Sequence, residues 1–398
     1  MITNLPTQHP IPLSLYMHIP WCVKKCPYCD FNSHALKTVL PEKEYCEHLL
    51  YELETQLPAV QNRIIHSIFI GGGTPSLFSP SAYQYLFSQL RKMLTIPSNC
   101  EITLEANPGT IENEKFKGYF DAGINRISLG VQSFQNDKLA LLGRIHDGNQ
   151  ARNAIYAAKC AGFSRINVDL MFGLPNQTID EALLDLQTAV DCDLSHVSWY
   201  QLTLEPNTFF YRFPPDLPND DIKFEMQEAG QALLRKNQLI QYEISAYAKT
   251  ESARCHHNLN YWRFGDYLGI GAGAHAKLTD AKTSIITRRM STKHPKQYLS
   301  AMHDALFQSH QVASDEISLE FMMNALRLFE PIPFSLFEQR TGHAIQVIKK
   351  SLMRTQAAGL LDLGKNYFCP TPLGYRFLNE LLMIFSETNN ERSHGAGD

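Results

Sequence analysis

The sequence predicts an α/β fold: a partial (β/α)6 barrel followed by a C-terminal winged-helix-like module. Two observations predict it. Six runs rich in β-branched and aromatic residues alternate with amphipathic helical stretches, and further along three helical stretches precede a short hairpin pattern. Strand–helix alternation implies parallel strands joined by right-handed crossovers, so six units predict an incomplete barrel. An open doubly wound sheet is the alternative.

The six predicted strands have the composition of buried parallel strands. They cover residues 13–19, 67–70, 101–104, 126–129, 165–168 and 196–200. Between the first two, residues 45–57 place leucines near helical spacing. Helical patterns at 319–329, 334–340 and 344–358 precede a hairpin pattern at 360–368. The order helix–helix–helix–hairpin predicts the winged-helix-like module.

Three cysteines directly follow the first predicted strand. Cys22, Cys26 and Cys29 have the spacing C-x-x-x-C-x-x-C. Prolines before and within this stretch disfavour a helix on which the three would share a core-facing side. A loop around a four-iron cluster is favoured, because three thiolates leave one iron open to a small molecule. The alternatives are a Cys3His zinc site with His34 and plain structural cysteines.

Polar residues or glycines follow the later strands, at the barrel rim where reactive groups collect. Residues 71–75 read Gly-Gly-Gly-Thr-Pro after strand two. The triplet indicates either a turn that needs positive φ or a close approach of backbone to a ligand. Glu105 ends strand three, Gln132 ends strand four and Asp169 ends strand five. Glu105 could bind a ribose diol or cap the next helix, and Asp169 needs a partner within a buried strand.

Composition describes an ordinary globular chain of two or three domains. It has 398 residues, 44% of them hydrophobic and 19% charged, with a net charge of −4. This charge gives no electrostatic case for nucleic acid or an anionic membrane. The start of the chain lacks a signal-peptide pattern, and no apolar run approaches the ~18 residues of a membrane span. Nine scattered cysteines predict thiols in a reducing cytoplasm.

The same patterns suggest five segments. They are an N-terminal arm at 1–12, the partial barrel at 13–240, a barrel extension at 241–314, the winged-helix-like module at 315–386 and a mobile tail at 387–398. The third helix of the module is only modestly basic, whereas a DNA-binding face normally carries a clear positive excess. We therefore expect a lid or docking module, and no nucleic-acid partner.

Together these features resemble the radical S-adenosylmethionine (SAM) superfamily. More narrowly, the chain is similar to the branch that contains the oxygen-independent coproporphyrinogen III oxidases and the HemW-type haem chaperones. The stretches that match are 16–22, 71–75, 129–134 and 168–175. The resemblance runs from about residue 13 into the C-terminal region, and thus covers nearly the whole chain.

The resemblance implies a set of cofactors and of residues that hold them. Cys22, Cys26 and Cys29 would hold a 4Fe-4S cluster, with the amino and carboxylate groups of SAM on the fourth iron. The residues expected to line the SAM pocket are Tyr16, Tyr28, Gly72, Gly73, Thr74, Glu105, Gln132, Arg144 and Asp169. Whether SAM is cleaved, and so whether the chain is an enzyme, stays open.

Two departures separate the chain from the oxidases within this branch. In the oxidases the cysteine motif has the form C-x-x-x-C-x-x-C-x-C. In this chain Phe31 stands at the position of the last cysteine. The oxidases also carry a longer N-terminal segment, whereas 21 residues precede Cys22 here. Both departures match the haem chaperones and argue against oxidase activity. A radical SAM enzyme such as the oxidase remains the alternative.

A second motif points to haem. Residues 257–262 read His-Asn-Leu-Asn-Tyr-Trp and match the H-N-x-x-Y-W motif of the haem chaperones, which implies haem binding at His257. From the residues alone, a hydrogen-bonding histidine beside core aromatics is the simpler interpretation, and Cys255, His256 and His275 are alternative ligands. The expected partners are haem and haem-accepting proteins, respiratory ones among the candidates. No integral membrane segment is expected, and transient contact with membrane proteins is compatible with this view.

Overall fold

A computed structural model of the protein describes residues 11–394. Most of the expected arm at 1–12 and the last four residues of the expected tail lie outside the described residues. The strands are β1 (Leu13–Ile19), β2 (Trp21–Cys22), β3 (His34–Ala35), β4 (Ile65–Gly72), β5 (Glu101–Ala106), β6 (Arg126–Gln132), β7 (Arg165–Phe172), β8 (His196–Gln201), β9 (Ile240–Glu243), β10 (Ala246–Ala248), β11 (Asp266–Ile270), β12 (His275–Thr279), β13 (Ile286–Ser291), β14 (Phe307–Gln311), β15 (Ile332–Pro333), β16 (Leu361–Leu363) and β17 (Tyr367–Pro370).

Helices alternate with the strands through the first half of the chain and dominate its end. They are α1 (Glu42–Val60), α2 (Pro80–Met93), α3 (Thr110–Asp121), α4 (Asn136–Leu141), α5 (Gly148–Cys160), α6 (Ile179–Asp191), α7 (Phe209–Arg212), α8 (Asp220–Lys236), α9 (His256–Trp262), α10 (Pro295–Ser300), α11 (Ile317–Ala325), α12 (Phe334–Thr341), α13 (Lys349–Ala357), α14 (Pro372–Arg376) and α15 (Leu378–His394). None of the helices described is long and apolar enough to cross a membrane.

One twelve-stranded sheet organises the molecule. Its order is β14-β13-β12-β11-β1-β4-β5-β6-β7-β8-β10-β9. The six predicted strands are confirmed as β1 and β4 to β8, which pair in parallel and in sequence order. The two ends of the sheet, β14 and β9, do not pair with each other in the described part of the chain, so the barrel is partial, as predicted.

The sheet continues past both ends of the predicted barrel. Strand β11 pairs in parallel with β1, and β12, β13 and β14 follow it as antiparallel neighbours. At the other end, β10 and β9 extend β8 in antiparallel fashion. Helix α9 packs against β1, β4 and β11. The extension thereby brings the His-Asn-x-x-Tyr-Trp segment beside the first strands of the barrel.

Successive side chains of β1 point alternately into the hydrophobic core and toward a cavity. Leu13, Leu15 and Met17 are fully buried in the main hydrophobic core. The residues between them face the interior of the partial barrel, where Tyr16 and His18 line a cavity. Successive side chains of a strand point to opposite faces, so one strand supplies both the core and the cavity wall.

The C-terminal module has its own core. Helices α11 to α13 pack with the three-stranded sheet β15-β17-β16 around Phe321, Phe337 and Phe368. Phe264 and Ile286 of the barrel extension belong to the same core and join the module to the barrel. The three predicted helices and the β16–β17 hairpin are joined by β15, an unpredicted strand between α11 and α12, in a winged-helix-like arrangement. Helix α15 then continues to His394, so the backbone of the expected tail is helical to that point.

Candidate functional site

The three cysteines lie on one loop whose ends are fixed. Cys22 ends β2, which pairs in parallel with β3, and the Leu36 amide donates to the Cys22 carbonyl at 2.8 Å. The Cys29 amide donates to the Cys26 carbonyl at 3.2 Å, which makes a turn between the two. All three thiols are free and line one cavity of about 500 Å³, the first cavity. Burial is the main cause of a raised pKa at Cys22.

The zinc alternative fits this arrangement poorly. His34 does not line the first cavity, and its Nε2 lies 3.3 Å from Asn32 Oδ1. Within residues 11–394, no three Cys, His, Asp or Glu side chains converge on a position for a single ion. A four-iron cluster takes each thiolate on a different iron, so three thiols around a shared cavity suit it better than they suit one ion.

The glycine triplet shapes the wall opposite the cysteine loop. Gly72 has φ +118°, and a Cβ there would lie 2.6 Å from the His18 ring. A Cβ on Gly73 would lie 2.5 Å from the Trp21 carbonyl oxygen. The Gly73 amide donates to the Ile19 carbonyl at 2.7 Å. The turn interpretation is therefore correct for Gly72, and bare backbone also lets the two loops approach each other closely.

Two carboxylates face this wall from β5 and β7. Glu105 Oε2 accepts from the Gly72 amide at 3.1 Å, and Asp169 accepts from Ser128 Oγ at 3.1 Å and Asn167 Nδ2 at 2.8 Å. Burial, and next the negative charge of Asp169, raise the pKa of Glu105 to about 8. Burial likewise raises the pKa of Asp169. Such a pair favours a ligand that is cationic or rich in hydroxyl groups.

The prediction that Asp169 ends its strand is wrong. Strand β7 continues to Phe172, and Asp169 lines the first cavity from within the strand. Glu105, also expected at a strand end, is the penultimate residue of β5, which ends at Ala106. Gln132 does end β6, with φ +69°, and its Oε1 accepts from Tyr200 at 2.9 Å.

A hydrogen-bonded chain links the cysteine loop to the strand ends. Arg144 donates to Asn107 Oδ1 and to the Gly130 carbonyl, both at 2.7 Å, and contacts Cys26 Sγ at 3.6 Å. Asn107 Nδ2 in turn donates to Thr74 Oγ1 at 2.9 Å. Asn107 was not predicted from the sequence, where its position two residues after Glu105 is the available signal. Tyr200, the partner of Gln132 on β8, was not predicted either.

The structure brings together most of the residues expected around SAM. Those that line the first cavity with the three cysteines are Tyr28, Gly72, Gly73, Thr74, Glu105, Gln132, Arg144 and Asp169. Tyr16 instead lines a second cavity, where its hydroxyl lies 2.9 Å from His18 Nδ1. The second cavity has a volume of about 720 Å³, and Gly72 and Glu105 form part of the wall between the two.

His257 lies in the second cavity. Its Nδ1 is 3.3 Å from Ser67 Oγ, and its ring packs on Phe69 with centroids 5.1 Å apart. Nε2 has no hydrogen-bond partner within the described residues. Burial lowers the pKa of His257 to about 4, so the imidazole is neutral at pH 7. Tyr261 and Trp262 of the same helix also line this cavity.

The alternative haem ligands occupy different places. Cys255 is buried, and its thiol is 3.4 Å from Asn258 Oδ1 and 3.7 Å from a carboxylate oxygen of Glu101. Neither Cys255 nor His256 lines either cavity. His275 does line the second cavity, at the start of β12. His257 and His275 are therefore the two candidates that share one space.

Comparison with known proteins identifies two regions. The model of the radical SAM superfamily matches residues 16–188, and that of the HemN C-terminal domain matches residues 312–377. The first covers the parallel strands as far as α6, and the second covers the C-terminal module. The same order of parts occurs in a solved structure of coproporphyrinogen III oxidase (HemN) from Escherichia coli. That structure has a TM-score of 0.80 at 24% identity, covering 94% of this chain and 90% of the other, and thus shows a shared fold.

Relatives of much higher identity decide the family. The haem chaperone HemW of Haemophilus influenzae is 51% identical over 378 residues, covering 94% of this chain and 98% of the relative. HemW of Escherichia coli is 48% identical over 374 residues, with the same two coverages. Identity at this level over nearly the whole of both chains is far above that with the oxidase. The chain therefore belongs to the HemW family of haem chaperones, within the radical SAM superfamily.

Proposed function

We propose that this chain binds haem and a SAM-ligated 4Fe-4S cluster, and that it transfers the haem to acceptor proteins. The observation that carries the proposal is the position of His257. Its ring lies in a cavity that shares a wall with the three-cysteine cavity, in a chain about half identical to a haem chaperone. The two sites would then be neighbours within one partial barrel.

Cys22, Cys26 and Cys29 would hold the cluster. Three thiolates around one cavity form the donor set of a cluster with one open iron, and the fourth iron would take the amino and carboxylate groups of SAM. Such a cluster, when reduced, supplies an electron to SAM. Arg144 would hold the loop in place through Cys26 and Asn107.

The remaining residues of the first cavity would bind SAM. Glu105 and Asp169 suit its ribose hydroxyls and positive charges, and Gly72, Gly73 and Thr74 offer backbone close to the ligand. Tyr28, Gln132 and Arg144 complete the wall. We assign Tyr16 a different place, since it lines the second cavity beside His18 and not the first cavity, whereas Cys29 lines both.

Haem would occupy the second cavity with His257 Nε2 on its iron. A neutral imidazole is a common haem ligand, and the hydrogen bond at Nδ1 fixes the ring while leaving Nε2 free. Tyr261 and Trp262 offer aromatic surface for the macrocycle. Of the alternative ligands considered from the sequence, His275 is the one that lines the same cavity.

The ligand assignment predicts a selective loss of haem binding. His257→Ala should weaken haem binding by about tenfold or more, because it removes the iron ligand while keeping the cavity. His256→Ala is the matched control, since this neighbour has a side chain that is 49% exposed and lies outside both cavities. Haem titration followed by absorbance measures both. Equal affinities of the His257→Ala variant and the unmodified protein would remove His257 from the site, provided that cluster absorbance is intact.

The acceptors would be haem-requiring proteins, with respiratory ones among the candidates. A cytoplasmic location is part of the proposal, and contacts with membrane-bound acceptors would be transient. The predicted lid or docking role of the C-terminal module would serve this exchange.

The alternative is a radical SAM enzyme such as the oxygen-independent coproporphyrinogen III oxidase. The shared fold supports it. Phe31 argues against it, because it stands where the oxidases have a further cysteine and is 57% exposed at the edge of both cavities. Conversion of coproporphyrinogen under strict anaerobiosis, with SAM and a reductant, discriminates between the two.

A further inference from the structure

Two lysines border the second cavity from separate loops. Lys25 belongs to the cysteine loop, and Lys293 follows β13. Both side chains are exposed, so their ammonium groups are free to reorient. They bring two positive charges to a cavity whose other lining includes several aromatic rings and imidazoles.

Neither lysine has an acidic partner within the described residues. Lys25 Nζ donates to the Phe31 carbonyl at 3.2 Å, which leaves two of its three N–H groups for a ligand. Lys293 has no side-chain hydrogen bond in the described part of the chain. The acidic groups at the same cavity are Asp30, which is exposed, and Glu105, which lies in its wall. The pKa of Glu105 is about 8, so this carboxyl is largely neutral at pH 7.

The spacing between the two loops is fixed by Asn32. Its Nδ2 donates to the Ala272 carbonyl and to the Lys293 carbonyl, both at 2.8 Å. Its own carbonyl oxygen lies 2.8 Å from His18 Nε2. One side chain thus ties the cysteine loop to the segment that carries the second lysine. The backbone positions of the two lysines are therefore fixed relative to each other, although their ammonium groups can move.

Haem matches this arrangement of charges. Its iron lies at the centre of an apolar macrocycle, and its two carboxylates lie together on one edge. We propose that Lys25 and Lys293 bind the two propionate carboxylates of haem while His257 faces the iron. This inference rests on the proposed haem-binding function and adds the orientation: carboxylates toward the cavity mouth, iron toward α9.

The test compares haem with its dimethyl ester, which lacks both negative charges. The unmodified protein should bind haem about tenfold more tightly than the ester, as expected for two partly exposed ion pairs. The double variant Lys25→Gln/Lys293→Gln should lose most of this preference while its affinity for the ester stays within about twofold of the unmodified protein. The matched control is Lys37→Gln/Lys296→Gln, which removes two exposed lysines from neighbouring positions outside both cavities.

The possible results distinguish failure of the propionate assignment from failure of the proposed haem-binding function. Saturable binding of haem and of the ester with equal affinity would overturn the propionate assignment and leave the haem site standing. An unchanged preference in the double variant would do the same. A protein that binds neither compound would overturn the proposed function, and the propionate assignment with it. Loss of the preference in the control pair as well would show a general charge effect and would also overturn the assignment.

Discussion

At the scale of single residues, the site depends on backbone positions as well as on side chains. Gly72 needs positive φ, and Gly73 lies against the Trp21 carbonyl that precedes the first cysteine. A sequence motif can mark such glycines. It cannot show whether positive φ or close approach of another backbone requires each one, because the contact is made by a loop distant in sequence. Asn107 and Tyr200 were missed for the same reason, since each acts through a partner far away in sequence.

Gly73→Ala should damage the cysteine loop. The new Cβ would lie 2.5 Å from a backbone oxygen of Trp21, and neither loop can yield without moving the cysteines. We expect a loss of about 1–3 kcal/mol in the free energy of unfolding and a lower iron content after reconstitution. Thermal unfolding and iron analysis measure these two effects.

The control for this variant is Gly359→Ala. Gly359 has φ +71° and nothing within 4 Å of the added Cβ, so strain alone should cost about 1 kcal/mol far from the cysteines. Its iron content should stay normal. A Gly73→Ala protein with full iron content would contradict the close-approach argument.

At the scale of elements, the six parallel strands were predictable because each is rich in β-branched and aromatic residues and alternates with helical stretches. The strands of the extension were not, because β9 to β14 are short, and β13 and β14 carry polar, partly exposed residues. Nor does local pattern reveal that β11 joins the free edge of β1, since that pairing is decided by the tertiary fold. The second cavity could therefore not be predicted from sequence patterns, although the motif at residues 257–262, which lines it, was recognised.

A buried charge cluster anchors this unpredicted strand. Asp266, at the start of β11, pairs with Arg63 at 2.6 Å and Lys277 at 3.0 Å, and its side chain is fully buried. Asp266→Ala should lower the free energy of unfolding by about 3–5 kcal/mol, because it leaves two buried cations without their partner. Chemical denaturation measures the loss.

The surface pair Lys117–Asp121 supplies the comparison. Both side chains are at least half exposed, so Asp121→Ala should change stability by less than about 1 kcal/mol. Similar losses in the two variants would mean that the Asp266 cluster does not hold the extension in place.

At the scale of the whole molecule, buried ionisable groups set the pH dependence of stability. Burial raises the pKa of Glu52 and Glu243 to about 7 and that of Glu105 to about 8. The folded state keeps these protons where the unfolded chain has released them, so stability falls as pH rises from about 4.5 to 8. Burial lowers the pKa of His18 and His257 to about 4, so these groups make stability rise between about pH 4 and 6.5.

The two trends oppose each other below pH 6.5, and only the carboxyl trend remains above it. The three carboxyls outweigh the two histidines, so we expect the cofactor-free protein to lose stability above about pH 5, by on the order of 3 kcal/mol between pH 6 and pH 8. Thermal unfolding across this range measures the curve. Glu52→Gln should flatten the fall above pH 6, since it removes one of the carboxyls. A steady gain in stability from pH 6 to 8 would contradict this account.

Haem binding beside a cluster site, without conversion of a porphyrinogen, distinguishes the proposed function from that of the oxidases. The most direct measurement is haem titration of the anaerobically reconstituted protein, with an assay for coproporphyrinogen conversion on the same sample with SAM and reductant. We expect saturable binding of one haem per chain, retained cluster absorbance and no conversion. Conversion of the porphyrinogen, or failure to bind haem, would contradict the proposed function.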